Sequence, residues 1–448
     1  MKTDNSFLNS AKLQFVDMHL HSSYSLATAK GITPESLAYS ALIKGLDIIG
    51  TGDILHPEWL RICTDSLEGK NRFYSLSFPK NQILPDFIKT KNLPEFILTT
   101  ELSCIYKNKG KTRKNHLLII FPSLTAVMKV QKKLMGNGFN LFSDGRPILG
   151  ISSKKLAILL WEIDPSIIII PAHIWTPWFS MLGSKSGYNN PYDCFEELLP
   201  YIYAMETGLS TDPSMHWKCS FLDDYALVSN SDAHSPDKLA RNASIFKGLE
   251  NFNDFRNALI NHKTLDNFLG TVNLFPQEGK YYHDGHRKCK INISPSVSEK
   301  YKGVCPVCGK KLTLGVLNRI EELADRNDPQ KRPYKKNFVR VIPLKNLIAH
   351  TLKKSNISKS VQLIYTTITE QCSSELPLLL TDNQTEIENK LFHTFGPAGE
   401  NKHPLKLNTG EIDILLEKLP ENIMKSRNGE VDIIPGYDGE FGIITPKN

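Results

Sequence analysis

The chain has 448 residues, 40% of them hydrophobic, and a formal net charge of +7. That gives ample apolar surface for a core and, at one domain per one to two hundred residues, suggests two or three domains. No apolar run approaches the roughly 18 residues needed to span a bilayer, and the stretch from Met1 to Leu13 is polar with no apolar signal core, so a soluble, cytoplasmic protein is expected. Eight cysteines in a chain this long, with Cys289, Cys305 and Cys308 clustered, read as metal ligands plus reduced thiols rather than a disulfide framework. Cys63, Cys104, Cys194, Cys219 and Cys372 read as ordinary packing residues.

From the N-terminus, β-rich runs at 15–18, 47–51, 96–100, 117–121, 167–171, 201–206 and 226–229 alternate with helical stretches such as 34–44 and 153–162. The first helix is well announced: Thr33 can cap it, Pro34 suits its first turn and Gly45 ends it. Repeated strand–helix units predict a parallel sheet. Seven runs, each with a polar or ionisable residue at or just beyond its C-terminal end, fit a closed βα barrel, which gathers those ends around one mouth, better than an open doubly wound sheet. There is no Gly-rich phosphate loop and no internal repeat.

Those strand-end residues are metal-ligand types. His19-Leu20-His21 follows the first run, and alternation with period two points both imidazoles to one side. Ser231-Asp232-Ala233-His234 repeats the geometry with one carboxylate at the end of the domain. Between them stand Asp53, Glu101, His116 and His173, each beside an apolar run. Any one alone is more readily a core residue than a ligand, but independent core residues should not all land at strand ends. Histidine with carboxylate suits Zn²⁺, Mn²⁺ or Fe²⁺, and Glu101 is the natural bridge between two cations because it offers two oxygens. Arg241 reads either as a phosphate clamp or as a surface salt bridge. Trp175, Trp178, Phe179 and Tyr188 follow His173 in a loop where they either stack on an extruded base or pack the loop.

Around Gly279 the chain becomes charged and Gly-rich. His286-Arg287-Lys288-Cys289 and, further on, Cys305-Pro306-Val307-Cys308 have the spacing of one tetrahedral structural Zn²⁺ site, with His283 within reach as an alternative to His286. Residues 276–350 hold 16 Lys/Arg against 7 Asp/Glu, which favours a polyanionic partner over a merely solvated surface. Beyond a helix at 315–326, Lys331-Arg332-Pro333-Tyr334-Lys335-Lys336 reads as a basic loop able to follow a phosphate backbone. Amphipathic segments such as 344–352 and 411–419 predict a small helical C-terminal domain, and 431–439 a strand and turn. The expected domains are 1–275, 276–320 and 321–448.

The His-x-His, the isolated Asp, Glu and His residues and the final Asp-x-His resemble the polymerase-and-histidinol-phosphatase (PHP) family. Within it, Thr51-Gly52-Asp53-Ile54-Leu55-His56-Pro57-Glu58-Trp59-Leu60, Pro171-Ala172-His173-Ile174-Trp175-Thr176-Pro177-Trp178-Phe179, Glu206-Thr207-Gly208-Leu209-Ser210, Ser229-Asn230-Ser231-Asp232-Ala233-His234-Ser235-Pro236, the ribbon and Pro435-Gly436-Tyr437-Asp438-Gly439 resemble the endonuclease Q family. The resemblance implies an α/β fold with a PHP-type distorted (βα)7 barrel, a zinc ribbon and a small helical C-terminal domain. It implies a metal-dependent repair endodeoxyribonuclease that cuts 5′ of uracil, hypoxanthine, xanthine or an abasic site in single- or double-stranded DNA. The implied ligands of two or three divalent metals (Zn²⁺, Mn²⁺, Fe²⁺ or Mg²⁺) are His19, His21, Asp53, Glu101, His116, His173, Asp232 and His234. Glu101, Asp232, His234 and Arg241 are expected to carry the catalytic roles, Trp175, Trp178, Lys331, Arg332, Lys335 and Lys336 to contact DNA, and His286, Cys289, Cys305 and Cys308 to hold the structural Zn²⁺. A monomer associated with the nucleoid is expected, and a sliding clamp as a further partner is left open. Two positions depart from the pattern of many PHP enzymes: Ala27 and Ile54 stand where those have histidine, with His56 either a nearby substitute or a residue facing the substrate. A phosphoesterase acting on a small monoester and a non-catalytic zinc-ribbon DNA-binding protein are the alternatives.

Overall fold

All seven predicted strand runs form strands, but their directions differ from the expectation. A computed structural model describes residues 6–9, 12–69, 72–77, 92–396 and 409–447. In chain order the strands that build the site are β1 (Leu13–Asp17), β2 (Ile48–Gly50), β3 (Glu95–Asn108), β4 (Lys111–Phe121), β5 (Ile168–Pro171), β6 (Ala204–Glu206), β7 (Ala226–Val228), β8 (Ala243–Lys247) and β9 (Phe268–Leu274). A small antiparallel pair, β10 (Asp284–His286) and β11 (Ile291–Ile293), follows, then β12 (Asn337–Val341) and a C-terminal ribbon of β13 (Val431–Ile434) and β14 (Ile443–Pro446).

The main sheet runs in the order β12-β9-β8-β1-β2-β3-β4-β5, with the short strand Ile148–Leu149 added beside β3. It is mixed, not parallel. β1, β2 and β3 are parallel, but β4 is antiparallel to both β3 and β5, and β8 is antiparallel to β1 and β9. The long β3–β4 hairpin turns at Lys109-Gly110, both with positive φ (48° and 76°), the geometry of a two-residue turn that follows the twist of its strands. β6 and β7 pair with each other beyond β5, and among the described residues a bridge between Leu20 and Ala233 joins the curl to the segment after β1. Because β1 gives most of that edge to β8, the sheet curls into a half-barrel rather than a closed parallel barrel. Its concave side is filled by Val16, Ile48, Ile97, Leu118, Ile120, Ile168, Ile170 and Val228, all buried, as expected of strands covered on both faces.

The helix Pro34–Lys44 forms as expected, with Thr33 accepting from the Ser36 amide and Gly45 closing it at φ 81°. A side chain at Gly45 would also put its Cβ 2.6 Å from Pro377 Cδ, so the same glycine lets the helix Glu375–Leu380 approach. One apolar cluster runs from Leu37 and Ala41 of the first helix to Leu376, Leu379 and Leu415 near the C-terminus. The segment expected to open a separate helical domain instead contributes β12 to the main sheet, parallel to β9. No helix among the described residues is long and apolar enough to cross a membrane.

Candidate metal centre

β1, β2, β3 and β5 point the same way; β1, β2 and β5 end at one rim, and β3 runs through it. His19 and His21 lie just past β1, Asp53 past β2 and His173 past β5; the bridge from Leu20 to Ala233 brings Asp232 and His234 alongside. Glu101 and His116 are corrections to the strand-end expectation, because both sit within the long hairpin. Glu101 continues the inward face of Ile97, His116 shares a face with Leu118 and Ile120, and the reversed direction of β4 returns His116 to the same rim. Asp53, His173 and Asp232 have φ of 46°, 30° and 48°, left-handed values that non-glycine residues rarely adopt and that cluster where side chains are held for function.

Three overlapping groups result: His19, His21 and Glu101; His21, Asp232 and His234; Glu101, His116 and His173. Glu101 joins two of them. Its Oε2 lies 3.4 Å from the Nε2 atoms of both His19 and His21, while Oε1 lies 2.8 Å from His116 Nδ1 and 3.1 Å from His173 Nε2. Asp232 Oδ1 stands 3.3 Å from His21 Nε2, 3.7 Å from His19 Nε2 and 3.6 Å from His234 Nδ1. His19 Nε2, His21 Nε2 and Asp232 Oδ1 are buried without a hydrogen-bond partner. Buried polar atoms are nearly always satisfied, so three converging orphans mark a place built for a cation.

The far sides of the first two imidazoles are occupied. Glu206 accepts from His19 Nδ1 at 3.0 Å and from the His173 amide at 2.7 Å, and is steadied by Asn230 Nδ2 at 2.8 Å. Asp53 bonds His21 Nδ1 at 3.0 Å and accepts from the amide and hydroxyl of Ser22. Asp53 therefore stands behind a ligand rather than among the ligands, which corrects its expected role, and Glu206 is its counterpart. The signal for Glu206 was present, since it ends a predicted strand. Arg146, whose Nη1 lies 3.1 Å from Glu101 Oε2, comes from an irregular loop with no such signal.

Burial raises the proton affinity of Glu101, but His116, His19 and Arg146 hold its carboxyl well below the usual range. Asp232 is likewise lowered against the effect of burial, by the His21 contact and the charge of His19. His116 is pushed down to about 4 by burial. Ionised carboxylates suit a cation, but against the effect of burial the neighbouring carboxylates raise the proton affinity of His19, His21 and His173, so a metal bound there displaces protons. An Asp53→Ala substitution is expected to weaken metal binding about 10- to 100-fold, the range for partners that orient a ligating histidine, with Asp53→Asn losing less. Competition against a chromogenic chelator measures it; wild-type affinity in Asp53→Ala would refute the orienting role.

Above the ligands lies a cavity of about 650 Å³ lined by Arg146, Trp178, Phe179, Arg241, Lys280, Tyr281 and Phe441 among others. Trp178 meets Tyr281 edge to face at 5.4 Å. Trp175, expected at the DNA surface, is only 1% exposed and packs against His216, so it belongs to the core. Arg241 lines the cavity, and its Nε and Nη2 donate to the carbonyls of Ser231 and Asp232 at 2.8 and 3.1 Å and brace the turn that carries Asp232. His56 lies outside all three groups, stacked on Tyr24 at 4.2 Å.

The basic loop sits elsewhere. It precedes Asn337, which pairs with Gly270, whereas the rim is at the Leu274–Val341 end of those strands, about 13 Å away at roughly 3.3 Å per residue. Arg332 is buried and donates to the carbonyls of Leu222 and Tyr225, Lys335 reaches the Gln330 carbonyl and Lys336 that of Leu265. Lys331 is exposed at the same far end. None of the four faces the ligand groups.

His286, Cys289, Cys305 and Cys308 form a fourth group, with ligand atoms within 4.8 Å of one another. His286 Nδ1 is 3.4 Å from Cys308 Sγ, whereas His283 Nδ1 is engaged by Asn292 Oδ1 at 3.0 Å, which separates the two candidate histidines. The amides of Cys308 and Val307, with His286, lower the Cys305 thiol to about 6 against the opposing effect of burial.

A curled α/β sheet with histidine–carboxylate groups on one rim and a Cys/His knuckle beside it defines a metal-centred α/β protein. Comparison with known proteins narrows this. No family model matches the chain. A lesion-specific endonuclease from Pyrococcus furiosus superposes with a TM-score of 0.76 at 28% identity, covering 97% of this chain and 96% of that one. Endonuclease Q in complex with a 27-mer duplex substrate bearing an abasic lesion superposes with a TM-score of 0.78 at 28% identity, covering 97% of each. An uncharacterized protein of Methanocaldococcus jannaschii is 30% identical over 299 residues, 64% of this chain but only 33% of that protein's length. The uncharacterized protein YqxK of Bacillus subtilis is 28% identical over 347 residues, covering 74% of this chain and 81% of that one. Over nearly its whole length the chain is therefore similar to endonuclease Q.

Proposed function

We propose that the protein is a divalent-metal-dependent endonuclease of DNA repair that hydrolyses the phosphodiester 5′ of a deaminated base (uracil, hypoxanthine or xanthine) or of an abasic site. The observation that carries this reading is the placement of Glu101, whose two oxygens face different imidazole pairs on a rim open to a cavity. Full-length similarity to endonuclease Q supports it. The ligands are His19, His21, Glu101, His116, His173, Asp232 and His234, grouped for two or three cations of the Zn²⁺, Mn²⁺, Fe²⁺ or Mg²⁺ type. Cations held there supply a polarised phosphoryl oxygen and a water of lowered pKa. The chain's own residues do the rest. Glu206 and Asp53 fix the two imidazoles of the first motif, Arg241 holds the turn bearing Asp232, and Arg146 adds a positive charge at the cavity wall. Trp178, Tyr281 and Phe441 offer aromatic surface to a nucleotide drawn out of the stack, as chemistry at a base within a duplex requires. The knuckle at His286, Cys289, Cys305 and Cys308 holds one structural Zn²⁺ and fixes the fold beside the cavity.

The test incubates the protein with a duplex carrying a single uracil or abasic site, with and without a chelator, and maps the cut to the nucleotide. Metal-dependent nicking on the 5′ side of the lesion is expected. Equal cutting of undamaged duplex would remove lesion specificity, and phosphate release from a small ester without DNA cleavage would overturn the nuclease reading.

A further inference from the structure

The β3–β4 hairpin does not end at the metal ligands; it continues past them. From Glu101 to Asn108 β3 runs another seven residues, about 23 Å at roughly 3.3 Å per residue, with β4 in unbroken register from Leu98–Phe121 to Asn108–Lys111. The tip reads Lys107-Asn108-Lys109-Gly110-Lys111-Thr112-Arg113-Lys114: five cations in eight residues and no carboxylate. Lys107, Lys109 and Lys111 are exposed, and none has an ion pair among the described residues. The base of this arm is stiffened by other means. Arg113 lies over the Tyr188 ring at 4.0 Å and donates to the Gly187 carbonyl, and Lys114 sits 5.1 Å from the Phe179 ring, which in turn packs on His116 at 4.9 Å. Period-two alternation puts Lys107 on the face of Glu101 and Lys114 on the face of His116, so part of the charge faces the same side as the metal ligands.

We infer that this hairpin is a nucleic-acid contact surface: a rigid arm whose lysines grip phosphates of the strand leading into the cavity. The inference rests on the nuclease reading for its choice of partner and goes beyond it by locating the surface. Charge complementarity favours DNA as the occupant. Each strand of a duplex carries one negative charge per 3.4 Å, so an arm of about 23 Å runs beside six or seven phosphates. The expected basic loop at 331–336 cannot fill this role at the same phosphates, since it lies at the other end of the sheet and much of it is engaged internally.

The decisive measurement is the salt dependence of binding. Fluorescence anisotropy with a duplex bearing one abasic site, taken from 50 to 200 mM salt in the presence of chelator, compares the wild-type protein with the triple variant Lys107→Gln, Lys109→Gln, Lys111→Gln. Each lost phosphate contact lowers the slope of log K against log salt by about 0.9, so a fall of about 2 to 3 is expected, with weaker binding at every salt concentration. A triple arginine variant should keep the wild-type slope, and thermal melts check that all three proteins are folded. An unchanged slope in the glutamine variant overturns the inference. So does loss of binding to phosphatidylserine vesicles with DNA binding intact, which would assign the arm to a membrane surface. Wild-type protein that binds with the full slope and loses it in the glutamine variant, yet nicks no lesion, leaves the arm standing and removes the nuclease reading instead.

Discussion

Glu101→Gln abolishes nicking and empties more than one cation position. The carboxylate is 1% exposed and touches four imidazoles through two different oxygens, so one substitution removes a ligand from two of the three groups at once. A glutamine of the same shape keeps one acceptor oxygen but replaces the other with a donor that cannot ligate, and it leaves Arg146 beside a neutral group. Residues that only orient a ligating histidine cost about 10- to 100-fold, and a ligand shared by two groups should exceed that, so a loss of more than about 100-fold is expected. Single-turnover cleavage of an abasic duplex gives the rate, and elemental analysis of the purified protein gives the metal content. Glu206→Gln is the control, because it disturbs the far side of His19 without removing a ligand and should retain metal at reduced affinity. Wild-type metal content in Glu101→Gln would break the assignment of Glu101 as the bridge.

The parts of this site legible in the sequence were those whose geometry is local. His19 and His21, and Asp232 and His234, are two residues apart, and spacing alone puts each pair on one side. Glu101 and His116 were legible as residues but not as positions. The apolar runs that marked their strands give way beyond Tyr106 to a polar arm, which hid the hairpin and its reversed strand. For the same reason a mixed sheet read as parallel, and β8 and β9, which follow the last ligand motif, went unassigned. What failed was whatever burial decides. Trp175 and Arg332 have side chains typical of a nucleic-acid surface, yet one is packed in the core and the other is tied to the carbonyls of Leu222 and Tyr225, contacts more than a hundred residues away in sequence for the arginine. Asp53 was found, but whether a carboxylate reaches the cation or the imidazole behind it depends on about one side-chain length. Here the amide and hydroxyl of Ser22 settle it by holding Asp53 back.

The largest stability effect is expected where the first helix meets the C-terminal helices. Lys44 Nζ lies 2.8 Å from Glu375 Oε2, with side chains 9% and 6% exposed, and Glu375 also accepts from the Leu344 amide at 3.0 Å and the Tyr365 hydroxyl at 2.7 Å. Removing one partner of a buried pair leaves the other charged and uncompensated, at a cost of about 3 to 5 kcal/mol, so Lys44→Met should shift the urea unfolding midpoint sharply downward at pH 7. The double variant Lys44→Met, Glu375→Leu should recover part of that loss, the remainder reflecting the Leu344 amide and Tyr365 hydroxyl left without an acceptor. A pH dependence follows from the same contact. Burial alone would raise the proton affinity of Glu375, but the Lys44 charge and the bonds from Lys44, Tyr365 and Leu344 hold it below the ordinary value of 4.5. Below that value the unfolded chain binds a proton that the folded chain refuses, so this contribution is fully present above about pH 4.5 and is lost as the pH falls through the depressed folded value. Thermal melts from neutral to acid pH should therefore fall more steeply for the wild-type protein than for Glu375→Gln, which has no carboxylate to protonate there. Parallel acid profiles would show that Glu375 is not the group whose charge joins the two ends of the chain.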